Sequence, residues 1–578
     1  MTKTKDRKQK RDILIDSFIN LRGYFLYAAL FSASLNLLML TPILYMLQVY
    51  DRVVSSGSMT TLSMLTLLMI LLLGSSGGFE WVRGKLLIAA NARLEKDLRE
   101  PVSITAFKST LTTGSPNSSA QAMNDLIGLR QFATGNGIFA LMDAPWTPIY
   151  IIVMFMFHPL FGIAAIITSL ILILLAITTQ KLTSRRLQSA NDCSRAAQTS
   201  FVNNLRNAEV IHGMGMAANI RKKDGKLYDR ATDEQSRAAI LAGRLASLSK
   251  SFRLISQSLL LGLGAYLALQ QQISPGMMIA GSLLLGRALA PIDMMVGTWK
   301  NFVEARAQFQ RLRKGLEAHS FEDKRMSLPA PEGNLSVAQL FLAPPLSKTP
   351  CLKGVSFDLR AGEALGVIGP SGAGKTSLLR GILGVWNIAA GSVRLDNADI
   401  NSWSREELGP YLGYLPQDIE LFSGTIAENI CRFSEVDPEK VISASQMAGI
   451  HEMILKLPDS YDTKINPSAG ILSAGQRQRL GLARAIYSKP KLILLDEPNS
   501  NLDEEGDRNL LSALQHLKGE GSTIIVITHR TPILALVDKV LLLQEGITGA
   551  FGGRDEVLKA LQEQNSKVTS LPHKAAPN

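Results

Sequence analysis

Six apolar stretches fill most of the first 300 residues, and after them the texture of the chain changes. They cover 24–48, 59–80, 138–157, 160–180, 252–271 and 275–298. A helix needs about 20 apolar residues to cross a hydrocarbon core, so the pattern predicts six membrane-spanning helices. The stretch from Leu160 to Thr179 carries no charged residue, which argues against six buried helices of a water-soluble protein. The third stretch is interrupted near its start by Asp143, Pro145, Trp146 and Pro148. Residues 1–22 are polar and basic and read as a short cytoplasmic arm. From about residue 333, short β-rich runs alternate with helical ones, the pattern of an α/β domain.

The links between the stretches set the topology. Those after the first, third and fifth are short, at 49–58, 158–159 and 272–274. Those after the second and fourth, 81–137 and 181–251, are long and carry Arg83, Lys85, Arg93, Lys181, Arg185 and Lys222 among other basic residues. Basic flanks stay on the cytoplasmic side, so the arm, both long links and the α/β domain are expected in the cytoplasm. Apolar residues at three- and four-residue spacing over 197–205 and 237–249 predict that the spans continue as helices beyond the membrane. Each long link has a turn-like centre, Ser115-Pro116-Asn117 and Gly213-Met214-Gly215-Met216. These make 115–125 and 206–216 candidate docking segments for another domain.

The sixth stretch holds Arg287, Pro291 and Asp293. Pro291 has no N–H for the carbonyl of Arg287, so a kink is expected there. Arg287 either faces a cavity or snorkels to the interface, and Asp293 is expected at the cytoplasmic interface. Nothing in the spans reads as a side-chain-specific pocket. The resulting organisation is an arm at 1–22, a transmembrane domain at 23–300, a linker at 301–332, a nucleotide-binding domain at 333–560 and a disordered tail at 561–578.

Composition agrees with membrane spans. Hydrophobic residues make up 46% and charged residues 19%, and the mean hydropathy is +0.13. The formal net charge of +12 is accounted for by basic membrane flanks, so no nucleic-acid partner is expected. Cys193, Cys351 and Cys431 are scattered without metal-ligand spacing, which argues against a disulfide framework or zinc site. The basic start is followed by a long apolar run without a small-residue cleavage pattern, so no secretory signal peptide is expected.

The chemistry lies in the second half. Gly369-Pro370-Ser371-Gly372-Ala373-Gly374-Lys375-Thr376 follows the apolar run 364–368 and precedes an amphipathic one that begins at Ser377. This is the spacing of a phosphate-binding loop, G-x-x-x-x-G-K-[ST]. Its glycines let backbone N–H groups close on a polyphosphate at a helix N-terminus. Lys375 is placed for the β- and γ-phosphates, and the Thr376 hydroxyl for Mg²⁺. Further along, Tyr414-Leu415-Pro416-Gln417 ends a strand-like run, and Gln417 can ligate Mg²⁺. Leu472-Ser473-Ala474-Gly475-Gln476-Arg477-Gln478-Arg479 opens a helix. The strand 492–495 ends in Asp496 and Glu497. Asp496 can hold the metal's water shell, and Glu497 can polarise the attacking water. Ser500-Asn501-Leu502-Asp503 follows, and the strand 523–528 ends in His529, placed for the γ-phosphate. Each element alone has a bland structural reading; their fixed order does not.

On these motifs residues 333–560 resemble an ATP-binding-cassette (ABC) ATPase, with Walker A, Q-loop, signature, Walker B, D-loop and H-loop all matched. Two positions depart from the pattern. Ala474 replaces the first glycine of the usual L-S-G-G-Q signature. Ala343 occupies the slot where the family stacks an aromatic on adenine, with Phe341 two residues earlier. The membrane half resembles the type I secretion exporters of proteases, lipases and haemophores. The resemblance rests on Asn36 to Pro42, Tyr45 to Val53, Asp143 to Pro148, His158 to Gly162, Arg206 to Ile211 and Gly286 to Asp293.

The resemblance implies an exporter-type membrane bundle of six spans joined to an α/β P-loop ATPase that uses ATP and Mg²⁺. It implies an inner-membrane homodimer with its nucleotide-binding domains in the cytoplasm. In that arrangement Ser473, Gly475 and Gln476 of one chain meet the nucleotide held by Gly369–Ser377 and Gln417 of the other. Glu497 and His529 serve catalysis, and Thr376, Gln417 and Asp496 hold the metal. The implied partners are the lipid bilayer, a periplasmic adaptor (membrane fusion protein), an outer-membrane tunnel protein and a secreted, unfolded polypeptide with a C-terminal signal. With 22 residues before the first span, the N-terminal peptidase domain of the toxin and bacteriocin branches is expected to be absent. A lipid or drug exporter, or a non-transporting ATPase, are the alternative readings.

Overall fold

The computed structural model describes residues 12–114, 116–318, 327–347, 349–466 and 472–569. Most of the basic arm, part of the linker and the last nine residues therefore lie outside the described residues. So do Ser115 and the side chains of 116–120 and 206 in the two docking segments. The chain divides into two compact units, with the main boundary between Phe321 and Glu322.

The first unit holds six helices long and apolar enough to cross a membrane: Arg22–Ser56, Met59–Thr113, Gly137–Phe157, Pro159–Leu205, Ala217–Leu269 and Pro275–Ala318. The second is 55 residues long, about 80 Å at 1.5 Å per residue. That is far more than the roughly 30 Å of a hydrocarbon core, so the long links are indeed helical extensions of the spans. The tight turn Met214–Met216 interrupts the second long link, with Gly215 at φ +66°. The helix assignment runs unbroken through Pro291, and the buried Thr147 hydroxyl donates to the nearby Ala288 carbonyl at 3.0 Å.

The first link differs from expectation. Residues 49–58 read as the link after the first span, but a π-helical turn at Val49–Val53 and the short helix Val54–Ser56 carry that span onward. Only Gly57, at φ +64°, and Ser58 form the link. A π-turn inserts one residue and re-aims the side chains beyond it. Here it delivers Asp51 to the start of the sixth helix, where its carboxylate accepts from Ser274 Oγ at 2.5 Å and Gly276 N at 2.9 Å.

The other polar residues of the membrane motifs also act as staples between helices. Asn36 donates to Asp143 Oδ1 at 2.9 Å, and Arg83 reaches the same oxygen at 3.3 Å and Ser32 at 2.9 Å. Tyr150 donates to the carbonyl and side-chain oxygens of Asn36 at 2.9 and 3.0 Å. Arg83 also stacks on Phe139, 4.3 Å from the ring centre. Buried polar groups in an apolar setting favour pairing, and this network joins the first three spans, leaving Arg83 Nε unpartnered. Asp293 is paired with Arg253 of the fifth span at 2.7 Å. The apolar packing between staples is tight. A Cβ on Gly281 would come within 2.7 Å of the Phe161 ring.

The second unit is built on a six-stranded sheet. Its strands in chain order begin with β1 (Leu335–Leu342), β2 (Leu352–Leu359), β3 (Ala364–Ile368), β4 (Ile388–Leu395), β5 (Ala398–Asp399) and β6 (Leu412–Leu415). They continue with β7 (Gly424–Thr425), β8 (Lys464–Ile465), β9 (Leu492–Asp496), β10 (Thr523–Ile527), β11 (Lys539–Gln544) and β12 (Ile547–Gly553). The main sheet has the order β12-β11-β3-β10-β9-β6 and is parallel except for β12. The strands β9 and β10 are buried at every residue, as unbroken apolar runs in a parallel sheet require. A separate antiparallel sheet, β2-β1-β4-β5, packs beside it, and β7-β8 form a small ribbon.

Candidate nucleotide site

In a parallel sheet, ligands bind beyond the carboxyl ends of the strands. The carboxyl end of β3 leads into Gly369–Thr376, that of β6 into Gln417, that of β9 into Glu497 and that of β10 into His529. Because β10 lies between β3 and β9, residues spread over 160 positions of sequence converge on one edge.

The phosphate loop needs its glycines. Gly369 has φ +151°, and a Cβ there would sit 2.2 Å from the Leu543 carbonyl; Gly374 has φ +97° and would place a Cβ 2.8 Å from Leu352. Gly374 caps the helix Lys375–Ile382, and Ser371 and Gly372 are exposed above it. Lys375 is only 8% exposed. Its ammonium donates to the carbonyls of Gly369 and Pro370 at 2.7 and 3.0 Å. A nearly buried cation satisfied only by neutral carbonyls is suited to a phosphate.

Asp496 faces Thr376, whose hydroxyl hydrogen-bonds it. The carboxylate is 2% exposed, and its Oδ2 has no hydrogen-bond partner. Burial pushes the Asp496 carboxyl above its usual range; the Thr376 hydrogen bond pulls it down and the neighbouring Glu497 charge pushes it further up. A buried, half-satisfied carboxylate beside a hydroxyl fits a divalent cation and its waters. Glu497 sits just past β9 at φ +47°, and its carboxylate accepts from Gln417 Nε2 at 3.1 Å. His529 is exposed after β10.

Among the described residues, no hydrogen bond joins Ser473, Gly475 or Gln476 to Gly369–Thr376. Ser473 and Gln476 form a reciprocal capping box on the helix Ala474–Ile486. Gln476 N donates to Ser473 Oγ at 3.2 Å, and Ser473 N to Gln476 Oε1 at 2.8 Å. Gly475 is required within its own chain, because a Cβ there would meet the Asn501 carbonyl at 2.8 Å. Ala474, in the first helical position, disturbs none of this.

Sequence reasoning missed Gln478. It is 2% exposed, and its amide nitrogen donates to the Pro498 and Glu497 carbonyls at 2.5 and 3.2 Å. Its amide oxygen accepts from Asn501 N at 3.0 Å. Two positions past Gln476 in the same motif, it ties the signature helix to the backbone that presents Glu497. Arg479 adds a 2.5 Å pair with Asp503, which caps the helix Glu504–Gly519. At the adenine end, Ala343 directly follows β1, and Phe341 lies within β1, over Gly354.

Comparison with known proteins places these features. Residues 25–290 match the ABC transporter transmembrane region and residues 352–500 the ABC transporter ATPase. The chain is 42% identical over 538 residues to the type I secretion system ATP-binding protein PrsD of Rhizobium meliloti, covering 93% of this chain and 92% of that one. It is 26% identical to the leukotoxin translocation ATP-binding protein LktB of Mannheimia haemolytica, over 94% of this chain and 78% of that one. In fold it matches a bacterial Atm1-family ABC exporter with ATP bound, at a TM-score of 0.84 and 20% identity, over 96% of this chain and 99% of that one. The chain therefore belongs to the type I secretion ATP-binding proteins, multi-pass ABC transporters in which ATP hydrolysis is coupled to transport.

Proposed function

We propose that this chain is the inner-membrane ATPase of a type I secretion machine and moves an unfolded polypeptide out of the cell. It works with a periplasmic adaptor and an outer-membrane tunnel protein. The observation that carries the reading is the 42% identity to a type I secretion protein, which runs through both the membrane unit and the ATPase unit.

Two copies form the working unit. ATP lies in the loop Gly369–Ser377 of one copy, with Lys375 on its β- and γ-phosphates. The N-terminus of the signature helix, with Ser473, Gly475 and Gln476, closes over the γ-phosphate from the partner copy, where backbone N–H groups and the helix dipole favour an anion. Thr376, Gln417 and Asp496 hold Mg²⁺, which when bound offsets charge on the phosphate oxygens. Glu497 orients a water and takes its proton as the water oxygen attacks the γ-phosphorus and the bond to the β–γ bridging oxygen breaks, giving ADP and phosphate, and His529 contacts the γ-phosphate. Loss of the γ-phosphate removes the bridge between copies. Segments 115–125 and 206–216 carry that separation to the spans.

The test is reconstitution with adaptor and tunnel proteins in cells that carry a candidate passenger. Export into the medium that depends on Glu497 supports the reading. ATPase stimulation by lipid or drug alone, with no passenger exported, overturns it.

A further inference from the structure

The far end of the signature helix Ala474–Ile486 is held by a side chain that the site described above does not use. Arg432 lies just past the short helix Ile426–Ile430. Arg432 and Phe433 stand at φ +60° and +59°. Two successive non-glycine residues in the left-handed region are a conformation that the surroundings must enforce. The turn aims the guanidinium at backbone. Nε donates to the Arg484 carbonyl and Nη2 to the Ala485 carbonyl, both at 3.0 Å. Nη1 donates to the carbonyls of Gly409 and Leu412, both at 2.8 Å. Arg484 and Ala485 belong to the last turn of the signature helix, where carbonyls lack partners within the helix and favour a cation. Leu412 opens β6, the strand that leads to Gln417. One planar fork therefore joins the end of the signature helix to the root of β6. Burial, and then the Arg484 charge beside it, push the Arg432 guanidinium down to about 10, so it stays charged at neutral pH. Among the described residues it makes no ion pair.

Helix and strand lie against each other along their length. A Cβ on Gly413 would come within 2.4 Å of the Ala485 carbonyl oxygen, and one on Gly481 within 3.0 Å of Leu415 and Ile419. Arg484 in turn donates to the Glu420 carbonyl at 3.1 Å and lies over the Phe422 ring, 5.3 Å from its centre. Pairing with β9 fixes β6 in the sheet. The helix is outside the sheet, so its angle depends on these contacts, and Arg432 supplies four of their hydrogen bonds. The helix has 13 residues, about 20 Å at 1.5 Å per residue. A tilt of about 3° at the Arg432 end therefore moves Ser473 and Gly475 by about 1 Å, a displacement that can cost on the order of 100-fold in rate.

We propose that Arg432 is a positioning residue for ATP hydrolysis, setting the angle at which the signature helix meets the nucleotide held by the second copy. It touches neither nucleotide nor metal; it acts through the helix. This inference rests on the divided-site reading above.

The test uses a full-length mixed dimer, one copy carrying Lys375→Ala and the other Ser473→Arg, isolated through two different affinity tags. One site is then intact. Arg432→Met is added to either copy, and ATPase is measured at a temperature where thermal unfolding shows the dimer fully folded. On the copy that supplies the signature, it lowers kcat about tenfold with the KM for ATP little changed, within the range of a positioning effect. On the copy that supplies the phosphate loop, it costs far less. A merely structural role would cost the same in both placements. Arg432→Lys keeps the charge but not the fork, and it recovers little of the lost kcat. Gly481→Ala pushes the helix off Leu415 and Ile419 without altering the guanidinium. It gives the same asymmetry, and it decides the matter if Arg432→Met does not fold. Equal loss in the two placements, an unchanged kcat, or full recovery with Lys overturns the assignment. A mixed dimer that is inactive before Arg432 is changed refutes the divided site itself, whereas an active one insensitive to Arg432 refutes only the positioning role.

Discussion

Gln478→Met tests how the catalytic carboxylate is held. The substitution preserves volume and removes an amide that is 2% exposed. That amide donates to the Pro498 and Glu497 carbonyls and accepts from Asn501 N. An ordinary hydrogen bond contributes about 1 kcal/mol net, and leaving a buried partner unmet costs about 1–3 kcal/mol. Three backbone groups lose this partner and water can reach some of them, so the ATPase unit should lose roughly 2–4 kcal/mol. The effect on turnover should exceed what reduced folding explains. Glu497 is at φ +47°, a conformation that its surroundings must enforce, and a shift of about 1 Å at a reacting group can cost on the order of 100-fold. The assay is steady-state ATPase on the purified dimer at a temperature where the variant is fully folded by thermal unfolding. The expected result is a kcat reduced 10- to 100-fold, on the order of the positioning effect, with the KM for ATP little changed, since Gly369–Thr376 is untouched. A normal kcat at full folding would refute the positioning role.

Glu497→Gln should abolish turnover while ATP binding, measured by equilibrium dialysis, is retained; a normal rate would remove Glu497 as the base. Asp496→Asn should raise the melting temperature of the nucleotide-free protein at neutral pH. Burial raises the carboxyl's pKa, so its contribution to stability is full below the unfolded value of about 3.9 and is lost as pH rises through the folded value. The gain over wild type should vanish in acid, and the variant should lose stabilisation by Mg²⁺-ATP. Asp51→Ala should destabilise the membrane unit by about 1–2 kcal/mol, the worth of a helix cap, read as a lower melting temperature in detergent. Asp51→Asn, which keeps one acceptor, should lose less.

The architecture was legible where it depends on local sequence. Apolar runs long enough to cross a hydrocarbon core mark the six spans, and glycine spacing before Lys375 marks the phosphate loop. Three- and four-residue apolar spacing marks the cytoplasmic extensions. What was not legible depends on residues meeting across long distances. The motif around Tyr50-Asp51-Arg52 could be recognised but not explained until the π-turn at Val49–Val53 carried Asp51 to Ser274 and Gly276. That turn also belongs to the helical stretch that takes residues 49–56 out of the expected link. The partner of Asp293 could not be read from sequence, because Arg253 lies on another helix. Gln478 was visible in the signature but had no assigned task, since the carbonyls it holds lie about 20 positions further on. Gly475 read as a site of close phosphate approach; contact with the Asn501 carbonyl gives it a second reason within its own chain.

The central claim is that each ATP site is divided between two copies. Co-purifying a Lys375→Ala chain with a Ser473→Arg chain tests it most directly. Each homodimer is inactive by itself. In the mixed dimer, the intact phosphate loop of one copy faces the intact signature of the other. Random pairing makes about half the dimers mixed, with one good site of two, so ATPase activity should return to about a quarter of wild type. If the site were complete within one chain, no mixed dimer would hold an intact site. A mixture as inactive as either variant alone, with ATP still bound by the Ser473→Arg chain, would contradict the account.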